Sequence, residues 1–484
     1  MTTNLKEILY PYQTEDSQAM LDNPLLMNCS EMGVGKTEVA IRVMEELEAP
    51  RNLIVCPSTM VLEWKYRIEK YIDTEVQVPI PYTKPQHQGY RLEAEHFKHR
   101  FLVINYEMLR LTPVKRGRPK KRPHNPINYL NVLNIPPWNS IFFDECHRIK
   151  NPTAQQSIGA QMLVRDQQEK GLEHFHGISG TPFLNYPNEL WTILNLIDPD
   201  TYPIYDDFVQ EYCYVIPSNW GPRIVGAKKK ALPQLRSVMS DLSIRREKKD
   251  VMKDLPPKSY REIPVVMEQK QRGYYEDLEK EMVAYLDSGQ NIHAKNGLAL
   301  SMKLRQWALD PNLLAPNDKL PSIITKTTLD LVGDIISAGE PVVVFSWFAS
   351  YLQYLKVLLE KKGHSVGLIA GEAGNTIERR ETQQEFQKGK IQILLGSILT
   401  MVGIDLTEAR VAIFTDRFWV PKLNEQAEDR LHRRGQHKNV TIIDIVPEES
   451  VYQDMHKTLT RKDAAFNETI AIERTMQAMR SRHR

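Results

Sequence analysis

The chain has little of what would make it secreted, membrane-embedded or cross-linked. Its four cysteines in 484 residues, Cys29, Cys56, Cys146 and Cys213, lie far apart, with no Cys-x-x-Cys pair and no His pair nearby. That spacing argues against a disulfide framework or a structural zinc site. The cysteines read as small buried hydrophobes in a reducing compartment. No apolar run approaches the roughly 18 residues of a membrane helix. The opening MTTNLKEILYPYQ has no apolar stretch of the kind a secretory leader carries. One-sided charge is missing too: 63 Lys and Arg against 61 Asp and Glu leave a net charge of +2. Overall charge therefore does not announce a nucleic-acid partner, although a balanced total can hide local patches. The expected setting is cytoplasm or nucleus, with no membrane.

What is present is a soluble composition, 41% hydrophobic and 26% charged, in a chain long enough for about two to four domains. Short, continuous apolar runs recur between helical patterns. They are Leu53 to Cys56, Phe101 to Ile104, Ile141 to Phe143, Val342 to Phe345, Ile391 to Leu395, Val411 to Phe414 and Val440 to Val446. Continuous apolarity suits strands covered on both faces, as in a parallel sheet with crossover helices. Val39, Val43 and Leu47, with Ala40 and Met44, make one apolar helix stripe.

The runs fall into two groups. Between them, residues from about 201 to 310 are more polar, and Tyr275, Leu278, Met282 and Tyr285 or Leu286 recur at helical spacing. The expected partition is an α/β lobe over 1–200, a helical insertion and linker over 201–315, a second α/β lobe over 316–455 and a helical tail over 456–484. No repeat of solenoid period and no long low-complexity tract interrupts it.

Three constellations carry chemistry. Ser30-Glu31-Met32-Gly33-Val34-Gly35-Lys36-Thr37 precedes the apolar helix stripe. Gly33 and Gly35 let backbone N–H groups approach phosphate oxygens, and a helix N-terminus favours the negative charge. Lys36 is then placed to reach the outer phosphates and Thr37 to bind Mg²⁺. Alone, the segment also reads as a helix preceded by a flexible glycine turn. The second is Asp144-Glu145 directly after Ile141 to Phe143. At the carboxyl end of a buried strand, where open α/β sheets bind ligands, Asp144 can hold Mg²⁺ and Glu145 can orient and deprotonate water. The third is QAEDRLHRRGQ (426–436), where Arg430 and Arg433, three apart, would share one helix face. Two guanidiniums there suit the charge of a transferring phosphoryl group; alone, they would equally suit a solvated basic face.

With these in hand, the chain resembles superfamily-two helicases and specifically the Swi/Snf-type translocases of double-stranded DNA. The resemblance runs in order through Tyr12-Gln13, EMGVGKT (31–37), LIVCPSTMVLEW (53–64), INYEML (104–109) and FFDECHRIKNP (142–152). It continues through SGTPFLNYPNELWTILN (179–195), IRREKKDVMKDLPPK (244–258), LRQWALDPNLL (304–314), VVFSWF (343–348), GSILTMVGIDLTEA (396–409) and the arginine element. It implies two RecA-like lobes with an ATP site in the cleft between them, and an ATP- and Mg²⁺-dependent motor on duplex DNA. It also implies that Gln13 reads adenine, that Gly403 and Asp405 approach the nucleotide, and that Arg430 and Arg433 act as arginine fingers. Ser179, Gly180 and Thr181 would couple nucleotide to DNA, and Thr59, Trp64 and Lys65 lie near DNA-contacting blocks. Such proteins hold DNA mostly by its phosphates, so binding is largely sequence-independent and salt-sensitive. The chain departs from the family at Ser30, where Asp is usual, and at Ser179, where Thr is. Asn is usual at Asp405, and a second glycine near Met401.

Residues 115–122, Lys-Arg-Gly-Arg-Pro-Lys-Lys-Arg, are six-eighths basic with no acid, within a loop expected over 112–138. They resemble an AT-hook, which would place Arg116 and Arg118 in the minor groove of A·T-rich DNA; a solvated basic loop and a nuclear-import signal remain open alternatives. The short tail leaves no room for histone-reading modules, which suggests a compact bacterial or phage motor, cytoplasmic there and nuclear in a eukaryote. A strand-separating helicase of DNA or RNA and a non-hydrolysing scaffold are the competing functions.

Overall fold

The computed structural model describes residues 9–81, 90–91, 94–110, 133, 137–180, 186–217, 221–287, 294–316, 320–371, 376–401 and 403–460. The basic segment with Arg116 and Arg118, Thr181 and the tail beyond Thr460 lie outside them. The chain divides into two compact units, Met1–Lys253 and Asp254–Arg484.

The first unit is built on a seven-stranded sheet whose order is Ser243–Ile244, Met27–Asn28, His174–Ile178, Ser140–Asp144, Asn52–Cys56, Phe101–Asn105, Val76–Gln77. Every pairing in it is parallel. The second carries a six-stranded sheet, again all parallel, in the order Lys258–Val265, Val440–Pro447, Val411–Phe414, Val342–Ser346, Ile393–Ser397, Val366–Ile369. Two all-parallel α/β sheets, one in each unit, are what the expected RecA-like pair calls for. All seven continuous apolar runs became strands of these sheets. The reason is visible in the second core: Val342 and Val344 pack on one face of the sheet, Val343 and Phe345 on the other. A strand buried on both sides has no polar positions to alternate with.

The boundaries expected near 200 and 315 differ from this division. Residues 201–253 pack with the first unit: Phe208, Val209, Tyr212, Cys213 and Leu235 join its core, and Ser243–Ile244 extends its sheet. Nor is the expected insertion, 201–315, wholly helical. It holds an antiparallel hairpin, Cys213–Ile216 with Arg223–Ala227, and the strand Lys258–Val265 that edges the second sheet. These strands are mostly exposed, so their polar residues hid them from an apolar pattern. The helices Gln269–Asp287 and Ala294–Leu309 follow, with Tyr275 fully buried.

All four cysteines are buried and free, and burial pushes the Cys29 thiol up to about 11. Gly159, in the helix Gln155–Glu169, lies against the backbone of Leu109: a Cβ there would fall 1.8 Å from the Leu109 carbonyl oxygen. Gly159→Ala must push helix and chain apart, and the expected loss is about 1–3 kcal/mol in denaturant unfolding. Unchanged unfolding would show that this contact opens without cost.

Candidate nucleotide site

Strand Met27–Asn28 runs into the loop 30–35, and the helix Lys36–Glu46 leaves it. Gly33 (φ 83°) and Gly35 (φ 92°) take left-handed conformations that a side chain would oppose, and Gly35 caps the helix. The loop is braced from three sides. Ser30 Oγ accepts from the Arg246 amide at 3.1 Å, Glu31 accepts from the Lys248 amide at 2.7 Å, and Arg246 pairs with Asp16 at 2.8 Å. The hydroxyl at Ser30, a departure from the family pattern, is thus used to tie the loop to residues 246–248. Gln13 is fully buried; its amide donates to Val34 O at 3.0 Å and its oxygen accepts from the Tyr10 amide at 3.0 Å. Tyr12 Oη donates to the same Val34 carbonyl at 2.8 Å. Both residues of the Tyr12-Gln13 block therefore hold the phosphate loop itself.

Lys36 Nζ donates to the carbonyls of Ser30 and Glu31, each at 2.9 Å, so the ammonium sits at the centre of the loop. The loop's neighbour is Gly180: a Cβ there would come 2.8 Å from Met32 Cγ and 3.3 Å from Lys36 Nζ. This close approach explains why the residue after Ser179 has no side chain.

Asp144 ends the strand Ser140–Asp144 and is buried. Trp64 Nε1 donates to its Oδ2 at 2.8 Å and the Glu145 amide donates to its Oδ1 at 3.0 Å. Burial, and then the charge of Glu145, pushes its carboxyl up to about 6, against the Trp64 bond and the Lys36 charge that favour the anion. The influence of Lys36 on Asp144 ties the phosphate loop to the carboxylate pair. Glu145 adopts φ 53°, a left-handed conformation uncommon outside glycine, and such strain persists where the surroundings enforce it. Its Oε2 lies 3.3 Å from His147 Nδ1, which is 3.0 Å from Ser179 Oγ.

Two of the residues expected near DNA are buried here. Trp64 is wholly buried, and its indole donates to Asp144. Ser179 is also fully buried, against His147. A Trp eighty positions before an acid gives no pattern that spacing rules can find. Thr59 is half-buried in the turn Ser58–Met60, and Lys65 pairs with Glu69 at 2.6 Å and donates to Val76 O.

In the second unit the arginines do not lie on a helix. Helix Pro421–Glu428 stops at Glu428, and Arg430 and Arg433 occupy the turns that follow. Gln436 ends the run by donating to the carbonyls of Thr407, Ala409 and Leu431, which folds the chain back under its own turn. Arg430 is buried, and Leu406 N donates to its carbonyl at 2.9 Å. Arg433 is ion-paired with Asp405, two residues after Gly403, whose φ is 80°. Met401 fills the space over Gly396.

The donor set fits a metal held largely by its substrate. Among the described residues no group of three or more His, Cys, Asp or Glu side chains could cage an ion. One carboxylate (Asp144) and one hydroxyl at a helix N-terminus (Thr37) match Mg²⁺, which keeps waters and phosphate oxygens as its other ligands. Among the described residues no helix is long and apolar enough to cross a membrane.

Comparison with known proteins gives a consistent answer. Residues 18–313 match the SNF2-related domain and residues 326–435 the helicase conserved C-terminal domain. The chain is 26% identical over 440 residues to the ISWI chromatin-remodeling complex ATPase CHR17 of Arabidopsis thaliana, covering 87% of this chain and 38% of that protein. It is 26% identical over 442 residues to the SWI/SNF-related matrix-associated actin-dependent regulator of chromatin subfamily A member 1 of Mus musculus, covering 87% and 39%. The chain thus spans about two fifths of the length of these relatives. A structure of the Sulfolobus solfataricus SWI2/SNF2 ATPase core in complex with double-stranded DNA aligns over 98% of this chain and 95% of that one, with 22% identity and a TM-score of 0.43.

Proposed function

The chain belongs to the SNF2-related family of ATPases, and from that premise we propose that it couples ATP hydrolysis to movement along double-stranded DNA. The observation that carries the reading is the convergence of Lys36, Asp144 and Glu145 within one unit, at the carboxyl edge of its parallel sheet. The phosphates of ATP take over the Lys36 ammonium from the carbonyls of Ser30 and Glu31, beside amides at the start of the helix Lys36–Glu46. Thr37 and Asp144 would hold Mg²⁺, whose charge would offset that of the phosphates. Glu145 accepts the proton of the attacking water, its carboxylate steadied by His147. Arg430 and Arg433 supply positive charge to the transferring group, which requires Arg433 to exchange Asp405 for phosphate. Gln13 acts by holding the loop on which the nucleotide rests.

Duplex DNA is gripped through its phosphates, with Thr59 and Thr181 among the contacts and the 112–138 loop, through Arg116 and Arg118, as a further minor-groove hold. The work done is the displacement of bound proteins or the remodelling of forks and recombination intermediates, in the cytoplasm of a bacterial or phage-infected cell or in a nucleus. Steady-state hydrolysis measured without nucleic acid, with duplex DNA, with single strands and with RNA tests the reading. Strong stimulation by duplex is expected; stimulation mainly by single strands or RNA would replace translocation with strand separation, and no hydrolysis would leave a scaffold.

Trp64→Phe keeps the core filled but removes a donor from the Asp144 carboxylate. The Mg²⁺ needed for half-maximal hydrolysis should rise about tenfold, as when other outer partners of metal ligands are lost. Titration of Mn²⁺ onto the nucleotide complex checks this directly, and an unaltered affinity would rule the indole out of metal binding.

A further inference from the structure

The chain enters the second unit at Asp254, and its next few residues are stitched to the arginine turn. His432 Nε2 donates to the Pro256 carbonyl at 2.8 Å. Lys258 Nζ lies 2.8 Å from Glu428 Oε2 and 3.7 Å from Asp429 Oδ1. Tyr260 Oη donates to Glu428 Oε2 at 2.8 Å. Lys258 and Tyr260 are two apart on one strand and so share a face, here turned to the end of helix Pro421–Glu428. Glu428 itself is buried, and its other oxygen accepts from Arg417 Nη1 at 2.8 Å.

A buried carboxylate that holds two cations and a phenol is a fixed point, because each donor lost leaves charge without compensation in a poorly hydrated site. Arg430 stands two residues beyond it. Backbone bonds such as that from Leu406 N to the Arg430 carbonyl fix the turn but not the rotamers of its arginines. We propose that residues 256–260 form a strap, anchored on Glu428, that positions Arg430 and Arg433 for hydrolysis. This rests on the motor reading above. Lys258, Tyr260 and Glu428 are positioning residues, acting through the arginine turn.

The test uses the full chain with ATP and duplex DNA. Lys258→Met and Tyr260→Phe should each lower kcat about tenfold with KM for ATP within about twofold, the signature of a contact that acts only in the transition state. Lys258→Arg, which keeps the ion pair, should stay within about threefold of the parent. Lys258→Met added to Arg430→Ala should cost nothing further, because the strap acts through the arginine. A merely structural network would multiply the two losses. Parental kcat in both Lys258→Met and Tyr260→Phe, or multiplied losses in the double variant, would overturn the strap while leaving the motor intact. A parent chain without DNA-stimulated hydrolysis would overturn the motor reading itself, and the strap with it.

Discussion

Glu145→Gln should reduce DNA-stimulated ATP hydrolysis by about 10³-fold, within the range for loss of a positioned general base, while ATP and DNA binding stay within about threefold. The amide is the same size as the carboxylate and keeps an oxygen for the contact with His147, 3.3 Å away. What it loses is the ability to take a proton from water. Asp144, whose carboxyl is pushed up first by burial and next by the charge of Glu145, is relieved of that repulsion, so the phosphate and metal side of the site gains. Binding and chemistry therefore separate in this variant. Fluorescent-nucleotide binding beside steady-state hydrolysis makes the comparison, and a variant with more than about a tenth of parental turnover would remove Glu145 as the base.

The sequence carried the fold wherever burial was two-sided. Runs such as Val342 to Phe345 are apolar at every position because both faces of the strand meet helices. Met27–Asn28, His174–Ile178 and Lys258–Val265 escaped for three separate reasons. The first is two residues long, the second carries two buried histidines, and the third lies exposed at an edge. Residues 201–253 read as an insertion because they are polar, yet a few apolar side chains and the two-residue strand Ser243–Ile244 bind them to the first unit.

The candidate site was legible where its chemistry depends on backbone geometry. Glycines at 33 and 35, a lysine at the helix start and acids at a strand end are local patterns, and each is found with that geometry. Partners brought by the tertiary fold left no such trace. The bond from Trp64 to Asp144 spans eighty residues, that from Arg246 to Asp16 spans 230, and that from Gln13 to Val34 spans 21. The helical spacing of Arg430 and Arg433 misled because Gln436 gathers three carbonyls and turns the chain before a helix can extend over them.

The second large effect is expected at Arg417, the centre of the buried charge in the second unit. Its guanidinium donates to both oxygens of Asp444 and to Glu428. Although burial alone would raise the Asp444 carboxyl, Arg417 and then a hydrogen bond with His456 hold it below the usual range. In the parent, that depressed value contributes stability at neutral pH that is lost as the pH falls through it. Arg417→Met keeps most of the volume but strands Asp444 in the core, with His456 at 3.6 Å as its nearest remaining cation-forming group. Breaking one side of such a pair costs about 3–5 kcal/mol, a large part of the roughly 5–15 kcal/mol that holds a domain folded. The sign of the pH dependence should then reverse. With its carboxyl raised above the unfolded value, Asp444 binds a proton in the folded state before the unfolded chain does, so acid stabilises the variant relative to the parent. Glu428 keeps Lys258 and Tyr260 and changes less. Thermal or denaturant unfolding at neutral pH and near pH 5 measures both parts. A loss that narrows in acid is expected; a loss equal at both pH values would mean that Arg417 acts by packing, against Phe414 at 4.2 Å, and not by its charge.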